Sequence, residues 1–247
     1  MKILAIDTAT QLCGVAVLDS ETGQFVRKRQ VVTTHSEMLL SLVADCLDEL
    51  KLQPADLGGV ALGAGPGSFT GLRIGCATAK GLCYALSIPL AMVSSLQALA
   101  LPHCDRGSVL ATLDAFRGQV YGRLEPSPQA SVRLQSLIGK QPLLLCDAAW
   151  NPDELAALLE PVASELVLCG SGVARYPQLR LASARQIEDE AGPCPLVVAR
   201  LGLVYLAEGK LAHLASALPT YVTVSAAEEN HPGSASESDP GSVAWTR

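Results

Sequence analysis

Residues 63–71 read Gly-Ala-Gly-Pro-Gly-Ser-Phe-Thr-Gly and separate two apolar segments. The segment before them, residues 57–62, predicts a buried strand, and residues 72–86 after them predict a helix. Glycines at such a junction let the backbone approach closely, and a helix N-terminus offers N–H groups to an anion, so phosphate binding is one interpretation. A tight turn with close strand–helix packing is the other. The spacing favours the turn, since the stretch is neither a Walker A loop nor a G-x-G-x-x-G motif.

Strands and helices alternate before and after this stretch. Apolar runs at residues 2–7, 13–18 and 24–32 predict three successive strands. Residues 35–50 then carry apolar side chains at spacings of 3, 4, 7 and 8, which predicts an amphipathic helix. Residues 88–93 predict another strand, and a helix begins at Ser94.

The second half of the chain shows a similar alternation. Strands are predicted at residues 108–113, 119–124, 143–146 and 165–169, helices at 152–159 and 195–208, and an irregular segment at 126–139. This order predicts an α/β protein with two related lobes. We expect a first lobe of residues 1–102 with 195–225 and a second lobe of residues 103–194. Residues 226–247 are polar and rich in Gly, Pro and Ser, which predicts a disordered tail.

The composition restricts the class of protein. Of 247 residues, 49 % are apolar and 17 % are charged, which excludes disorder for most of the chain. A net charge of −6 and an aromatic content of 4 % give no sign of a basic face or a stacking surface for nucleic acid. Eight cysteines without a C-x-x-C pair favour buried reduced thiols over a metal site or disulfides. With no apolar run of about 18 residues and no signal peptide, we expect a cytoplasmic protein.

Few side chains stand in a pattern typical of catalysis. Asp7 ends the first strand and Thr8 follows it, so the carboxylate could hold Mg²⁺ through water and the hydroxyl could contact phosphate. A hydrogen bond from the turn to Asp7 is favoured, because no glycine follows to admit a phosphate. His35 and Glu37 do not share a helix face, which favours capping or an intermolecular contact over a metal pair. Asp114, three residues before Arg117, fits a structural turn or a ligand contact equally well.

The two helices predicted in the first lobe have an unusual surface. The second contains small residues at spacings near four, which allow another helix to approach closely. These small residues are Gly75, Ala77, Ala79, Gly81 and Ala85. Packing within the chain explains them, and so does a subunit interface anchored by Arg73, Lys80 and Tyr84.

Several of these segments together resemble the bacterial TsaB (YeaZ) family. The resemblance is carried by residues 2–10, 34–37, 63–75, 89–96 and 114–121, and it is strong over residues 1–125. It implies a two-lobed actin-like/hexokinase-like ATPase (ASKHA) fold. It also implies a role in forming N6-threonylcarbamoyladenosine at position 37 of tRNAs that read ANN codons.

The resemblance further implies partners. A member of this family forms a homodimer alone and a heterodimer with its catalytic paralogue TsaD, and the ATPase TsaE joins that complex. The contacts use the helices that match residues 35–50 and 72–86. The residues expected at this interface are His35, Glu37, Leu39, Val43, Arg73, Ala77, Lys80, Gly81 and Tyr84. Contact with tRNA is expected only through the complex, and with a membrane not at all.

The same resemblance argues against catalysis by this chain. Ser95 and Leu99 stand where the paralogue has its metal-binding H-x-x-x-H, and leucine cannot ligate a metal. We therefore expect an activating subunit with no metal and no cofactor in the isolated chain, and ATP only in the complex with TsaD and TsaE. Weak nucleotide-binding candidates are Asp7, Thr8, Gly65 and Gly67. The alternative is an ATP-dependent kinase-like enzyme or a metalloprotease of the same fold.

One segment departs from the family pattern. Members usually carry Pro-x-Tyr-Leu-Arg near the end, whereas residues 219–223 here read Pro-Thr-Tyr-Val-Thr. The arginine of that pattern is therefore missing, and the tail beyond it is longer.

Overall fold

A computed structural model describes residues 1–31, 35–187 and 192–222. Its framework is a pair of five-stranded mixed sheets, one built before residue 94 and one after residue 107. We call each sheet with its helices a lobe. No helix in the described part of the chain is long and apolar enough to cross a membrane.

The first sheet is formed by a meander followed by two crossovers. Its strands are β1 (Lys2–Asp7), β2 (Leu12–Asp19), β3 (Phe25–Val31), β4 (Gly59–Gly63) and β5 (Leu90–Val93). They lie in the order β3-β2-β1-β4-β5. The pairs among β1, β2 and β3 are antiparallel, and β4 and β5 run parallel to β1. The carboxyl ends of β1, β4 and β5 therefore meet at one edge of the sheet.

Helices cover both faces of the first sheet. Helices α1 (His35–Glu49) and α2 (Phe69–Leu86) share one apolar core with the sheet. The opposite face packs against α7 (Pro195–Ala207), a strongly apolar helix. The Ser68 side chain caps the start of α2, and Ser87 ends it in the left-handed conformation.

The second sheet repeats the first. Its strands are β6 (Ser108–Asp114), β7 (Val120–Glu125), β8 (Ala148–Trp150), β9 (Leu166–Cys169) and β10 (Arg185–Gln186). Their order, β8-β7-β6-β9-β10, and their directions match those of the first sheet. Its helices are α4 (Val132–Lys140), α5 (Pro152–Leu159) and α6 (Ser171–Arg175).

A short helix, α3 (Ser95–Ala100), lies between the lobes. Ala98 packs in the core that the first sheet shares with α7, whereas Leu96 and Leu99 pack against the second sheet. The predicted two-lobed actin-like/hexokinase-like fold is thus confirmed. The lobe boundaries near residues 102 and 195 stay a prediction, and the predicted disorder of residues 226–247 lies outside the described residues.

Two local predictions in the second lobe are wrong. Residues 143–146 are not a strand; Pro142–Leu145 form a 3-10 helix, and the third strand of this sheet is β8, three residues further on. The short apolar run was ambiguous, and Pro142 supplies the fixed φ that suits a helix start. The segment predicted as irregular contains α4, which Ser131 caps and whose apolar residue Leu134 reaches the core.

The cysteine prediction is confirmed for most positions. None of the eight cysteines forms a disulfide, and five are buried. Burial raises the pKa of Cys13, Cys46 and Cys83 to about 11, which keeps these thiols protonated. The other three depart from the prediction, since Cys104 and Cys194 are only partly buried and Cys146 is exposed.

Candidate functional site

The glycine-rich stretch packs against the turn that links β1 and β2. The backbone N–H of Ser68 donates a hydrogen bond to the Ala9 carbonyl at 2.7 Å. A Cβ on Gly67 would overlap that carbonyl oxygen and lie 2.7 Å from the Ala9 Cβ. Glycine is therefore required here by the close approach of two backbone segments. This favours the packing interpretation of the stretch over phosphate binding.

Asp7 lies at the carboxyl edge of the first sheet, fully enclosed by protein. Its Oδ1 accepts a hydrogen bond from the Ala9 N–H at 3.0 Å, and its Oδ2 accepts one from the Ser95 hydroxyl at 2.8 Å. Burial raises the pKa of Asp7 to about 6, and the Ser95 hydrogen bond partly opposes that rise. The turn hydrogen bond expected from the sequence is present, together with a contact to Ser95 that the sequence did not reveal.

The other nucleotide-binding candidates lie beside Asp7, and their polar atoms are also engaged. The Thr8 hydroxyl donates to the Gly71 carbonyl at 2.8 Å. The Gly65 N–H donates to Ser95 Oγ at 3.3 Å, and the Gly65 carbonyl accepts from the Ser95 N–H at 2.8 Å. The structure thus brings Asp7, Thr8, Gly65 and Gly67 together at the carboxyl edge of the first sheet. The polar atoms named for Asp7, Thr8 and Gly65 are hydrogen-bonded to other protein groups there, and Gly67 packs against Ala9.

Ser95 and Leu99 occupy one turn of α3, facing the interior. Ser95 is buried beside Asp7, whereas Leu99 belongs to the core of the second lobe. The Ser95 hydroxyl is bonded to Asp7 and to the Gly65 N–H, and the Leu99 side chain is packed among apolar residues. Within the described ranges, no group of three His, Cys, Asp or Glu side chains is placed to hold a metal ion.

A polar cluster links the lobes next to this site. The Ser94 hydroxyl donates to Asp147 Oδ1 at 2.7 Å, and Arg123 pairs with both Asp147 and Glu125. Burial raises the pKa of Asp147, although the Ser94 hydrogen bond and Arg123 favour its charged form.

Asp114, whose role the sequence left open, accepts hydrogen bonds from the Phe116 N–H and the Tyr176 hydroxyl, at 3.0 and 2.9 Å. These contacts fit its structural interpretation.

On α1, the structure corrects part of the predicted interface. Leu39 and Val43 are 1 % and 5 % exposed and pack against the first sheet, so they belong to the core and not to an outer surface. Their periodic spacing marks the buried face of an amphipathic helix. Glu37 is exposed, as an interface requires. The side chain of His35 lies outside the described part of the structure.

On α2, the predicted residues form an outer face. Arg73, Ala77, Gly81 and Tyr84 are all exposed, and a Cβ on Gly81 would meet open space. Lys80 differs, because its Nζ donates to the Ala217 carbonyl at 3.0 Å within the chain.

Two aromatic residues that the sequence analysis missed extend this face. The Arg73 guanidinium lies 3.8 Å above the Phe69 ring, and its Nε donates to the Tyr221 hydroxyl at 3.1 Å. The rings of Phe69 and Tyr221 are 5.2 Å apart. The sequence signal was the unusual segment at residues 219–223, but nothing in it showed that Tyr221 would reach α2.

Comparison with known proteins bears on what this fold does. Residues 27–129 match the family model described as TsaD: tRNA N6-adenosine threonylcarbamoyltransferase. The tRNA threonylcarbamoyladenosine biosynthesis protein TsaB of Escherichia coli is 29 % identical over 94 % of this chain and 99 % of its own length. The protein of the same name in Bacillus subtilis is 36 % identical over 60 % of this chain and 64 % of its own length.

Solved structures agree with these sequence matches. The structure named YeaZ from Pseudomonas aeruginosa superposes with a TM-score of 0.73 at 27 % identity, covering 89 % of this chain and 99 % of its own. A second crystal structure from that organism, described as similar to peptidase YEAZ, gives a TM-score of 0.75 at 26 % identity over 90 % of this chain and 99 % of its own. Sequence and structure agree: the chain is similar to TsaB (YeaZ) proteins over most of its length.

Proposed function

We propose that this chain is a non-catalytic subunit that binds and activates a TsaD-type threonylcarbamoyl transferase. The product would be N6-threonylcarbamoyladenosine at position 37 of tRNAs that read ANN codons. Similarity to proteins named for tRNA threonylcarbamoyladenosine biosynthesis supports a role in that pathway. The observation that carries the finer proposal is the exposed face of α1 and α2.

This face has the composition of an interface. Tyr84 is 82 % exposed on α2, and Leu40 is 58 % exposed on α1. At the other end of α2, Arg73 stacks on Phe69, and aromatic and arginine side chains are the residues enriched at binding hot spots. Large apolar side chains left exposed on a surface helix are typical of a surface that another protein covers. We infer that the isolated chain forms a homodimer here and exchanges this contact for the transferase.

The interior of the chain supports a non-catalytic role. Both carboxylate oxygens of Asp7 accept hydrogen bonds from protein groups, and Gly67 leaves no gap against Ala9. A nucleotide bound at this edge would have to break these contacts. We therefore place ATP in the complex with TsaD- and TsaE-type proteins, and tRNA contact in the same complex. The assembly would act in the cytoplasm.

A matched pair of glycine substitutions tests the interface. Gly81 on α2 and Gly139 on α4 are both exposed helical glycines with open space at the Cβ position. Gly81→Glu places a charge on the proposed interface, whereas Gly139→Glu places the same charge on the other lobe. Burying an unpaired charge there costs on the order of several kcal/mol, enough to dissociate a dimer.

The measurement is solution mass by light scattering, alone and with the TsaD-type paralogue of the same cell. We expect wild type and Gly139→Glu at twice 25.8 kDa, exchanging into a one-to-one heterodimer, and Gly81→Glu as a folded monomer that binds no paralogue. Equal association of the two variants would show that the interface lies elsewhere. ATP turnover by the isolated chain, lost in Asp7→Asn, would overturn the non-catalytic role in favour of a kinase-like enzyme.

A further inference from the structure

The hairpin turn between β6 and β7 has a strained backbone. Phe116 and Arg117 both take positive φ angles, of 61° and 50°, and Gly118 follows at 77°. This left-handed conformation is costly for a residue with a Cβ, and bulky residues adopt it rarely. The other described non-glycine residues with positive φ, Lys51 and Ser87, follow the ends of α1 and α2, where the conformation is ordinary. The strain in the turn therefore needs a reason of its own.

Packing of the turn does not supply that reason. Phe116 is 65 % exposed, and Arg117, Gly118 and Gln119 are exposed with it. Asparagine or glycine would take this conformation more readily, and an exposed phenylalanine recovers little free energy of burial. Strained residues cluster at active sites, ligand clamps and switch regions. The turn is therefore a candidate binding element.

Hydrogen bonds hold the turn in this shape. Asp114 Oδ1 accepts from the Phe116 N–H at 3.0 Å and from the Tyr176 hydroxyl at 2.9 Å. The Ala115 N–H donates to the Gln119 carbonyl at 3.1 Å, and the Gln119 N–H donates to the Phe116 carbonyl at 3.0 Å. Because two donors share one Asp114 oxygen, the turn is fixed to the end of α6. Its exposed side chains thus stand on a rigid support.

The corresponding turn of the first lobe is used differently. β6 corresponds to β1, and each strand ends in an aspartate whose Oδ1 accepts from the N–H two residues further on. Asp7 accepts from Ala9, and Asp114 accepts from Phe116. Ala9 is 2 % exposed and packs against the glycine-rich stretch. The turn of the second lobe keeps the hydrogen bond but leaves its side chains on the surface.

The tip of the turn and the adjoining end of α6 are locally cationic. The Arg175 guanidinium carbon lies 6.0 Å from the centre of the Tyr176 ring. Arg180 Nη2 donates to the Ala174 carbonyl at 3.4 Å, next to Arg175. Residues 114–119 and 171–180 hold three arginines against one acidic residue, Asp114, in a chain of net charge −6. We call two aromatic and two arginine residues of this region the turn patch: Phe116, Arg117, Arg175 and Tyr176.

These side chains have the chemistry that recognises an RNA strand. Arginine pairs with phosphates, and exposed aromatic rings stack on unpaired bases. Sites for small molecules are concave and enclose most of the ligand, whereas this turn is an exposed tip, which suits a strand better than a free nucleotide. We propose that the turn patch contacts unpaired nucleotides of the substrate tRNA, with Phe116 stacked on a base and Arg117 near a phosphate. This inference rests on the proposed function, because the transferase complex supplies the tRNA.

Asparagine variants test the patch without disturbing the turn. Asparagine tolerates the left-handed conformation, so Phe116→Asn and Arg117→Asn keep the backbone, and the Tm of Phe116→Asn should equal or exceed that of wild type. Arg133→Asn is the matched control for the loss of charge. Arg133 is exposed on α4, whose cap Ser131 bonds to Glu165 beside the first residue of β6, at the far end of that strand from the turn.

The measurement is fluorescence anisotropy of a labelled, unmodified tRNA transcript that reads ANN codons. It is titrated with the chain alone and in one-to-one complex with the TsaD-type paralogue, at several salt concentrations. Loss of one stacked base should weaken the Kd of the Phe116→Asn complex about 5- to 150-fold at an unchanged salt slope. Arg117→Asn should also weaken binding and lower the slope of log Kd against log salt by about 0.7. Arg133→Asn should change neither.

The outcomes separate the alternatives. Equal affinity of the wild-type and Phe116→Asn complexes would overturn the proposal, and a lower Tm of Phe116→Asn would assign Phe116 to packing instead. ATP that competes with the transcript for wild type but not for Phe116→Asn would overturn it in favour of a free nucleotide. Loss of paralogue binding in Phe116→Asn would overturn it in favour of a protein contact. A chain that binds the transcript through Phe116 but ignores the paralogue would support the patch while contradicting the proposed function.

Discussion

Substitution of Gly67 by alanine tests the packing interpretation of the glycine-rich stretch. The added methyl group would overlap the Ala9 carbonyl oxygen and lie within 2.7 Å of the Ala9 Cβ. Neither atom belongs to a flexible side chain, so the two backbone segments must separate, and the 2.7 Å hydrogen bond from Ser68 to Ala9 would weaken. Overpacking of this kind costs about 1–3 kcal/mol. We expect about 3 kcal/mol, because backbone cannot rotate away.

Gly81→Ala is the matched control. Both substitutions remove chain entropy from the unfolded state, a stabilising effect of about 0.4–1 kcal/mol, but the new methyl at position 81 meets nothing within 4 Å. Gly81→Ala should therefore raise the free energy of unfolding by about 0.5–1 kcal/mol, since Gly81 is in the interior of α2.

The assay is urea unfolding followed by circular dichroism, with thermal unfolding beside it. For a chain of this size, 3 kcal/mol corresponds to a fall in Tm of about 6–12 °C. Coinciding transitions for the two alanine variants would refute the packing argument. A stretch that served a phosphate would lose ligand binding on substitution and keep its stability.

Three further measurements address other contacts. The pKa of Asp7 is about 6 in the folded chain and about 4 in the unfolded chain, so the folded chain binds one more proton between these pH values. The free energy of unfolding should therefore fall by up to about 3 kcal/mol as the pH rises from 4 to 6. Urea titrations of Asp7→Asn should show no such fall. Arg123→Met should lower the free energy of unfolding by about 2–3 kcal/mol, because it leaves Asp147 without its cation. This is somewhat less than the loss of a fully buried partner would cost. A loss under about 0.5 kcal/mol would show that solvent screens the pair. Leu39→Ala should cost about 2–5 kcal/mol in unfolding while the folded protein stays dimeric by light scattering, and a monomer would return Leu39 to the interface.

Much of the fold could be predicted because its elements have strong periodic patterns. The run at residues 2–7 and the helical spacing in residues 35–50 are each satisfied by one kind of element. The strand prediction for residues 143–146 failed for the opposite reason, since four apolar residues fit a strand and a helical turn equally well.

The candidate site could be predicted less well, because contacts across the chain have no local signal. Spacing marked Leu39 and Val43 as an apolar helix face but could not say whether a sheet or a partner covers it. Arg73 and Tyr221 are separated by 148 positions, and no pattern at either one indicates the other. The contact between Asp7 and Ser95 spans 88 positions and was hidden for the same reason.

Two neighbouring serines at the start of α3 restrict how the whole molecule moves. Ser94 bonds to Asp147 beside the second sheet, and Ser95 bonds to Asp7 in the first. A hinge motion that opened the cleft between the sheets would have to break one of these bonds, since no residue separates the two anchors. The chain would then meet a partner as one rigid body. Its outer helices would lose little conformational freedom on association, which is how preorganisation raises affinity.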